Sequence, residues 1–291
     1  MEKWGDKPYH SLDYENKKRF GGKVYKISLA GGTTCPNRDG TLGTRGCCFC
    51  SGSGSGDFAA TKGSITEQIE EAIARVSRYK NAGHHFTAYF QSFTATYAPV
   101  ETLRAAWEEA MTHESVVTLA IATRPDCLGD DVLSLLVDCC RKMPVTVELG
   151  LQTIHPDTIR YIRRGYPNSV YETAVKNLQN IGVNVVTHVI AGLPGETKEN
   201  FLDTVRYVAD IGSDGIKLQL LHVLKGTDLA LDYESKMFRT LTPDEYLDYI
   251  AEALSILPPD MVIHRVTGDG PKDLLIAPLW RANKRMVLNL S

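Results

Sequence analysis

No apolar run in this 291-residue chain reaches the roughly 20 residues that a membrane-spanning helix needs. Residues 1–10 are polar and charged and lack the apolar stretch of a secretory signal peptide, so a cytoplasmic location is expected. Positive charge is not in excess. Lys and Arg number 32 against 35 Asp and Glu, a net charge of −3. That balance excludes a broad basic field and argues against tight non-specific nucleic-acid binding, though a local basic patch stays open. The seven cysteines are an odd number, clustered rather than spread, so a disulfide framework is not indicated. A reducing compartment fits that usage. Low-complexity sequence is confined to residues 51–56, and no repeat of fixed period is present.

What the chain does have is an ordinary globular balance, 43% hydrophobic and 23% charged. It is long enough to bury a core without staples. Short β-rich runs alternate with helical patterns. Strands are expected at 23–29, 85–91, 116–123, 145–151, 184–191 and 215–221. Helical stretches follow them at 66–81, 99–112, 130–141, 156–163 with 170–181, 198–211 and 243–257. Ile65, Ile69, Ile73 and Val76 mark one apolar face of the first. A last short strand at 261–266 leads into a tail. Such alternation implies right-handed crossovers and a parallel sheet. Six units are three-quarters of an eight-unit barrel. The expected fold class is therefore α/β, a partial (β/α)6 TIM-type barrel over residues 23–257. Residues 1–22 would be an N-terminal extension and 258–291 a C-terminal extension capping the barrel. The active site of such a fold belongs at the C-terminal strand ends.

The loop leaving the first strand reads CPNRDGTLGTRGCCFC and carries Cys35, Cys47 and Cys50. Three thiolates on one glycine-rich loop make a soft metal site. Iron–sulfur clusters take Cys thiolates, normally four. With three, one iron stays open to a cofactor or substrate, which points to an enzyme. Two other readings stand beside it. One is a zinc-stabilised nucleic-acid-binding module, but structural zinc needs four ligands in a closed tetrahedron. Cys48 cannot easily face the same ion as its neighbour Cys47, and no His lies at finger spacing. The other is a simple iron–sulfur electron carrier. Cys127, Cys139 and Cys140 show no ligand spacing.

The words GGTTCPNRDGTLGTRGCCFC and GSGDFAA resemble the cluster loop of the radical S-adenosylmethionine (radical SAM) superfamily, in its YhcC-like branch. The common spacing there is C-x3-C-x-aromatic-C, whereas eleven residues separate Cys35 from Cys47 here. The similarity runs over residues 9–289. It implies a [4Fe–4S] cluster, S-adenosylmethionine chelated at the open iron, and reductive cleavage to methionine and a 5′-deoxyadenosyl radical. It also implies a flavodoxin- or ferredoxin-type reductant and a nucleobase-type substrate. One group in that branch consists of tRNA wobble-uridine-modifying (MnmL-type) enzymes that trim carboxymethylaminomethyl to aminomethyl. Another is queuine lyase. Both break a C–N bond beside an aminomethyl group.

The resemblance also implies residue roles. Cys35, Cys47 and Cys50 would hold the cluster, with Phe49 shielding it and packing near the adenine. The superfamily's Gly-Gly-Glu is absent; Gln91 and Ser92, with Thr94, occupy its place. Glu148 and Gln152 share strand parity and so one face. A carboxylate in an apolar parallel strand is costly without a partner. A ribose diol is one candidate, a structural salt bridge the other. Arg164 sits where an arginine meets the cofactor carboxylate, and Gly192 and Leu221 sit at adenine-contacting strand ends. On the substrate side, Arg124 and Asp126 either bind a polar substrate or pair with each other. His188 and His222 lie near strand ends, and Asp269 lies in a polar loop that could cap the barrel.

Overall fold

β-branched and aromatic runs supply the strands, and amphipathic stretches supply the helices that cover them. The computed structural model describes residues 4–54, 56–78, 83–268 and 270–282. In chain order the elements are α1 (Leu12–Phe20), β1 (Tyr25–Leu29), α2 (Ile65–Ser77), β2 (Phe86–Phe90), α3 (Val100–Thr112) and β3 (Val116–Thr123). Next come α4 (Asp130–Cys140), β4 (Val145–Gln152), α5 (Pro156–Tyr161), α6 (Asn168–Asn180), β5 (Asn184–Ala191) and α7 (Lys198–Ile211). The chain continues with β6 (Gly215–Leu220), β7 (Val223–Leu224), α8 (Asp228–Glu234), α9 (Pro243–Ile256), β8 (Val262–Arg265) and β9 (Leu275–Ala277). Among the described residues no helix is long and apolar enough to cross a membrane.

Several helix starts are written in the sequence. Ser64 with Glu67, Thr197 with Asn200, and Thr242 with Glu245 each close a reciprocal cap over the first turn of α2, α7 and α9. α2 then buries Ile65, Ile69 and Ala72 against the sheet. α3 buries Leu103 and Trp107, the latter 1% exposed. Truncating a side chain so enclosed costs about 3–5 kcal/mol.

The strands form one parallel sheet in the order β1-β2-β3-β4-β5-β6-β8, with β7 and β9 as a separate antiparallel pair. That is one strand more than six, because the last short strand joins the sheet beside β6 rather than leading straight into a tail. The sheet is strongly curled. β1 and β6 are five strands apart, a separation of about 24 Å if flat. Yet Lys26 of β1 and Lys217 of β6 both reach the carboxylate of Glu148 on β4. The fold is thus a partial TIM-type barrel of mixed α/β class, as the alternation predicts. Its edges are covered. Ala60 pairs with the backbone of β1, and the Ile263 amide of β8 donates to the His10 carbonyl at 2.7 Å.

Two helices lie outside the sequence expectation. α1 buries none of its residues and so lacks the apolar stripe that marks a helix. α8 is only seven residues long. The helix expected over 66–81 ends at Ser77.

Candidate active site

The C-terminal strand ends open into a cavity of about 250 Å³. The loop after β1 forms one wall. Arg38 and Asp39 amides both donate to the Cys35 carbonyl, at 2.8 and 3.2 Å. Buried Asn37 donates to the Arg163 carbonyl at 2.7 Å and to Cys47 Sγ at 3.4 Å. Arg38 donates to the Ser51 carbonyl at 2.5 Å. Gly46 has φ +73, the left-handed region that glycine adopts without strain, and it packs against the Arg38 guanidinium. The long insertion between Cys35 and Cys47 is therefore a folded loop, and it brings all three cysteines to the same cavity.

The neighbouring thiols differ in chemistry. The Cys47 thiol is pulled down to about 6, chiefly by a hydrogen bond from Cys50. Burial opposes this, while the Asn37 amide and the Arg124 and Arg163 cations assist. Cys48 goes the other way. It is 3% exposed, in an apolar cluster with Ile162, Leu193 and Leu221, and burial pushes its thiol up to about 12. A zinc site using Cys48 as fourth ligand has no support in that arrangement. Among the described residues no three His, Cys, Asp or Glu side chains converge on a single ion. A multi-iron cluster does not ask for that, because each cysteine binds a different iron. Three accessible thiols, one already inclined to thiolate, fit a [4Fe–4S] cluster with one iron left open.

Opposite the cysteines lies a charged floor. Glu148 is 1% exposed. It pairs with Lys26 and Lys217, accepts from Tyr89 Oη at 2.6 Å, and lies 2.8 Å from His188 Nε2. Burial raises the pKa of Glu148, but Lys217, Lys26 and His188 more than offset it and hold the carboxyl well below its usual range. His188 is pushed down to about 4, by burial first and then by the Lys217 charge, so its ring is neutral. Glu148 thus has partners within the protein, the salt-bridge alternative, while it also lines the cavity where a ribose contact was expected.

Most other expected residues also line the cavity: Phe49, Gln91, Gln152, Leu221, Arg124, His188 and His222. Gln152 closes β4 with φ +63, outside the ordinary strand region, and its buried Oε1 has no partner. His222 is enclosed by glycines; a Cβ at Gly268 would approach its ring to 2.9 Å. The Leu221 amide is already bonded to the Ala191 carbonyl at 3.0 Å.

The rest fall differently. Arg164 lines the cavity but spends its donors on the carbonyls of Leu151, Thr153 and Tyr166 and on Asn168 Oδ1, at 2.7 to 3.1 Å. With these bonds it locks the turn after β4, beside the cavity where the carboxylate contact was expected. Arg124 and Asp126 form a two-bond pair at 2.9 and 2.7 Å, so the choice left open between them goes to mutual pairing, with only Arg124 on the cavity. Ser92 is buried beneath the loop at Gly56, off the lining. Gly192 makes the left-handed turn after β5, where a Cβ would meet Leu241 at 3.0 Å. Asp269 lies outside the described residues.

Lys217, Tyr89 and Gln219 are the floor residues that sequence reading missed, together with Lys26, which reaches Glu148 from a separate pocket. A lysine in mid-strand carries the same signal as Glu148, a charge in an apolar run that must find a partner.

Comparison with known proteins gives the family. Residues 20–208 match the model of the Radical SAM superfamily, and residues 213–290 match the Radical_SAM C-terminal domain. The chain belongs to the radical SAM superfamily. It is 43% identical over 289 residues to protein YtqA of Bacillus subtilis (strain 168), covering 97% of this chain and 88% of that protein. It is 38% identical over 268 residues to protein YhcC of Escherichia coli (strain K12), covering 92% and 85%. Among solved structures, the archaeal Methanocaldococcus infernus Elp3 with an N-terminal deletion shares the fold, with a TM-score of 0.65 at 18% identity. The match covers 87% of this chain and 58% of that longer protein. The cofactors of the radical SAM superfamily are a [4Fe–4S] cluster and S-adenosylmethionine.

Proposed function

We propose that this radical SAM enzyme acts on the carboxymethylaminomethyl side chain of wobble uridine in transfer RNA, breaking a C–N bond beside the aminomethyl group. The carrying observation is that one cavity holds the three cysteines at one wall and a polar, cation-rich floor at the other. Arg38, Lys217 and Arg265 line it against Asp57 and Glu148, among the described residues, beside Arg124, which Asp126 already pairs, and Arg164, which backbone carbonyls already hold. That balance suits an acidic substrate better than queuine, which carries a diol and an amine.

Cys35, Cys47 and Cys50 would hold the cluster. Bound there, cluster and S-adenosylmethionine supply reductive cleavage to methionine and a 5′-deoxyadenosyl radical that takes a hydrogen atom from the substrate. The unpartnered Gln152 Oε1 suits a ribose hydroxyl, which donates to it and relieves a buried orphan acceptor. Phe49 and Gln91 border the same space and would exclude water from it. The reading includes a cytoplasmic location and a flavodoxin- or ferredoxin-type reductant.

The test is anaerobic turnover with bulk transfer RNA and, separately, with queuine, followed by mass spectrometry of the products. Aminomethyluridine in the transfer RNA supports the reading. Cleavage of queuine with untouched transfer RNA moves the substrate to the free base. A chain that binds zinc without sulfide, or holds a cluster yet releases no 5′-deoxyadenosine, refutes the activity itself.

A further inference from the structure

Two lysines share one carboxylate beneath the cavity, Lys217 bordering the cavity itself and Lys26 lining a separate pocket with His10 and His264. Lys26 and Lys217 both pair with Glu148, and no other carboxylate among the described residues pairs with either lysine. Lys26 keeps 23% of its side chain exposed, so Lys217 is the enclosed cation, and an enclosed cation is costly without a full counter-charge. Lys217 is 4% exposed yet borders the cavity. Burial, with Lys26 adding to it, holds its pKa well below the usual lysine range in spite of Glu148. An arriving anion would even the count.

A second group on the floor has a fixed orientation. Ionised Glu148 only accepts, so His188 donates to it through Nε2 at 2.8 Å. The neutral ring must then accept at Nδ1, where Gln219 Nε2 lies at 3.0 Å. The Gln219 amide nitrogen is thereby turned to His188. Its carbonyl oxygen faces away from that ring, in a side chain that lines the cavity. Lys217 and Gln219 stand two apart on β6, on one face and about 7 Å apart along the strand. A cation and a neutral acceptor so placed match an ammonium and a carboxylate joined by one methylene, with a hydrogen bond at each end.

We propose that Lys217 and Gln219 form a subsite for the carboxymethylamino group of the substrate, the lysine taking its carboxylate and the glutamine oxygen its protonated amine. These two residues would set the preference for an acid-terminated side chain. The proposal rests on the nucleobase reading above for its substrate, and on the cavity floor alone for its ligand chemistry.

N-methylglycine is a probe carrying the same amine, methylene and carboxylate. Its binding to the cofactor-loaded chain can be followed by ligand-observed NMR, with methylamine and acetate as controls. Saturable binding is expected, stronger than either control. Lys217→Met and Gln219→Met should each weaken it at least tenfold, about 1.4 kcal/mol, while Lys217→Arg restores it to within a few fold. With transfer RNA as substrate, Lys217→Met should raise KM by a larger factor than it lowers kcat. No saturable binding by the unaltered chain, or equal binding by Lys217→Met and Gln219→Met, overturns the subsite. Binding that depends on Lys217, with no base altered in turnover, keeps the subsite and refutes the nucleobase reading instead.

Discussion

Replacing Glu148 by Gln tests the charged floor most directly. The carboxylate is 1% exposed and holds two lysines, a tyrosine hydroxyl and a histidine ring. Glutamine keeps the shape but can neutralise neither ammonium, and its amide adds donors where four donors already converge. Removing one partner from a buried ion pair costs about 3–5 kcal/mol, because a charge is left uncompensated. Desolvated lysines can escape part of that cost by losing a proton, which places the expectation at the lower end, about 3 kcal/mol. For a chain of this size that is a fall in melting temperature of roughly 6 °C. Thermal and urea unfolding of the cluster-free chain at pH 7.5 would measure it. Combining Glu148→Gln with Lys217→Met should cost less than the sum of the two, since the second change removes a stranded cation. Additive losses, or a Glu148→Gln loss under about 1 kcal/mol, would show that these pairs are not the buried network described.

Three other expectations follow from the same geometry. Cys35→Ala, Cys47→Ala and Cys50→Ala should each abolish 5′-deoxyadenosine release by the reconstituted enzyme, whereas Cys48→Ala, altering only an apolar cluster, should retain it; activity in any of the first three refutes the ligand set. His188 is depressed from 6.5 to about 4, so the unfolded chain binds its proton first. Its contribution is complete above pH 6.5 and is lost as pH falls toward 4, on the order of 3 kcal/mol, and His188→Gln should flatten unfolding free energy against pH across that window. Arg164→Lys should lower the melting temperature by several degrees, because the three donors of lysine cannot replace the five bonds of the guanidinium fork. S-adenosylmethionine affinity should stay within about twofold, below 0.5 kcal/mol, and a tenfold loss at unchanged stability would return Arg164 to the cofactor.

The barrel was legible because its signals are local. Three strands, β3, β5 and the core of β4, read directly from apolar runs bounded by polar turns, and α7 from its threonine cap and apolar stripe. α1 was not legible, since a helix that buries nothing leaves no periodicity. The membership of β8 in the sheet was also hidden, because strand length says nothing of which neighbour a strand finds. The cysteine wall announced itself for the opposite reason: its chemistry is written in residue type and spacing.

The floor shows why the rest of the site escaped. A charge in a strand interior tells only that a partner exists. Lys26, Tyr89, Glu148, His188 and Lys217 come from five strands and meet only because the sheet curls. Read singly, Glu148 invites a ligand to explain it, and each lysine signals only an unnamed partner. Read together they satisfy one another, except that cations exceed carboxylates by one. The same logic applies to Arg164 and Arg124: a fork of donors suggests an anion, but nearby carbonyls and Asp126 claim both. What a ligand must bring is therefore found in what the enclosed groups still lack. Here that is a donor for Gln152 Oε1 and a further negative charge for Lys217. Both shortages border one cavity with the three cysteines, so the fold draws cofactor and substrate into a single space.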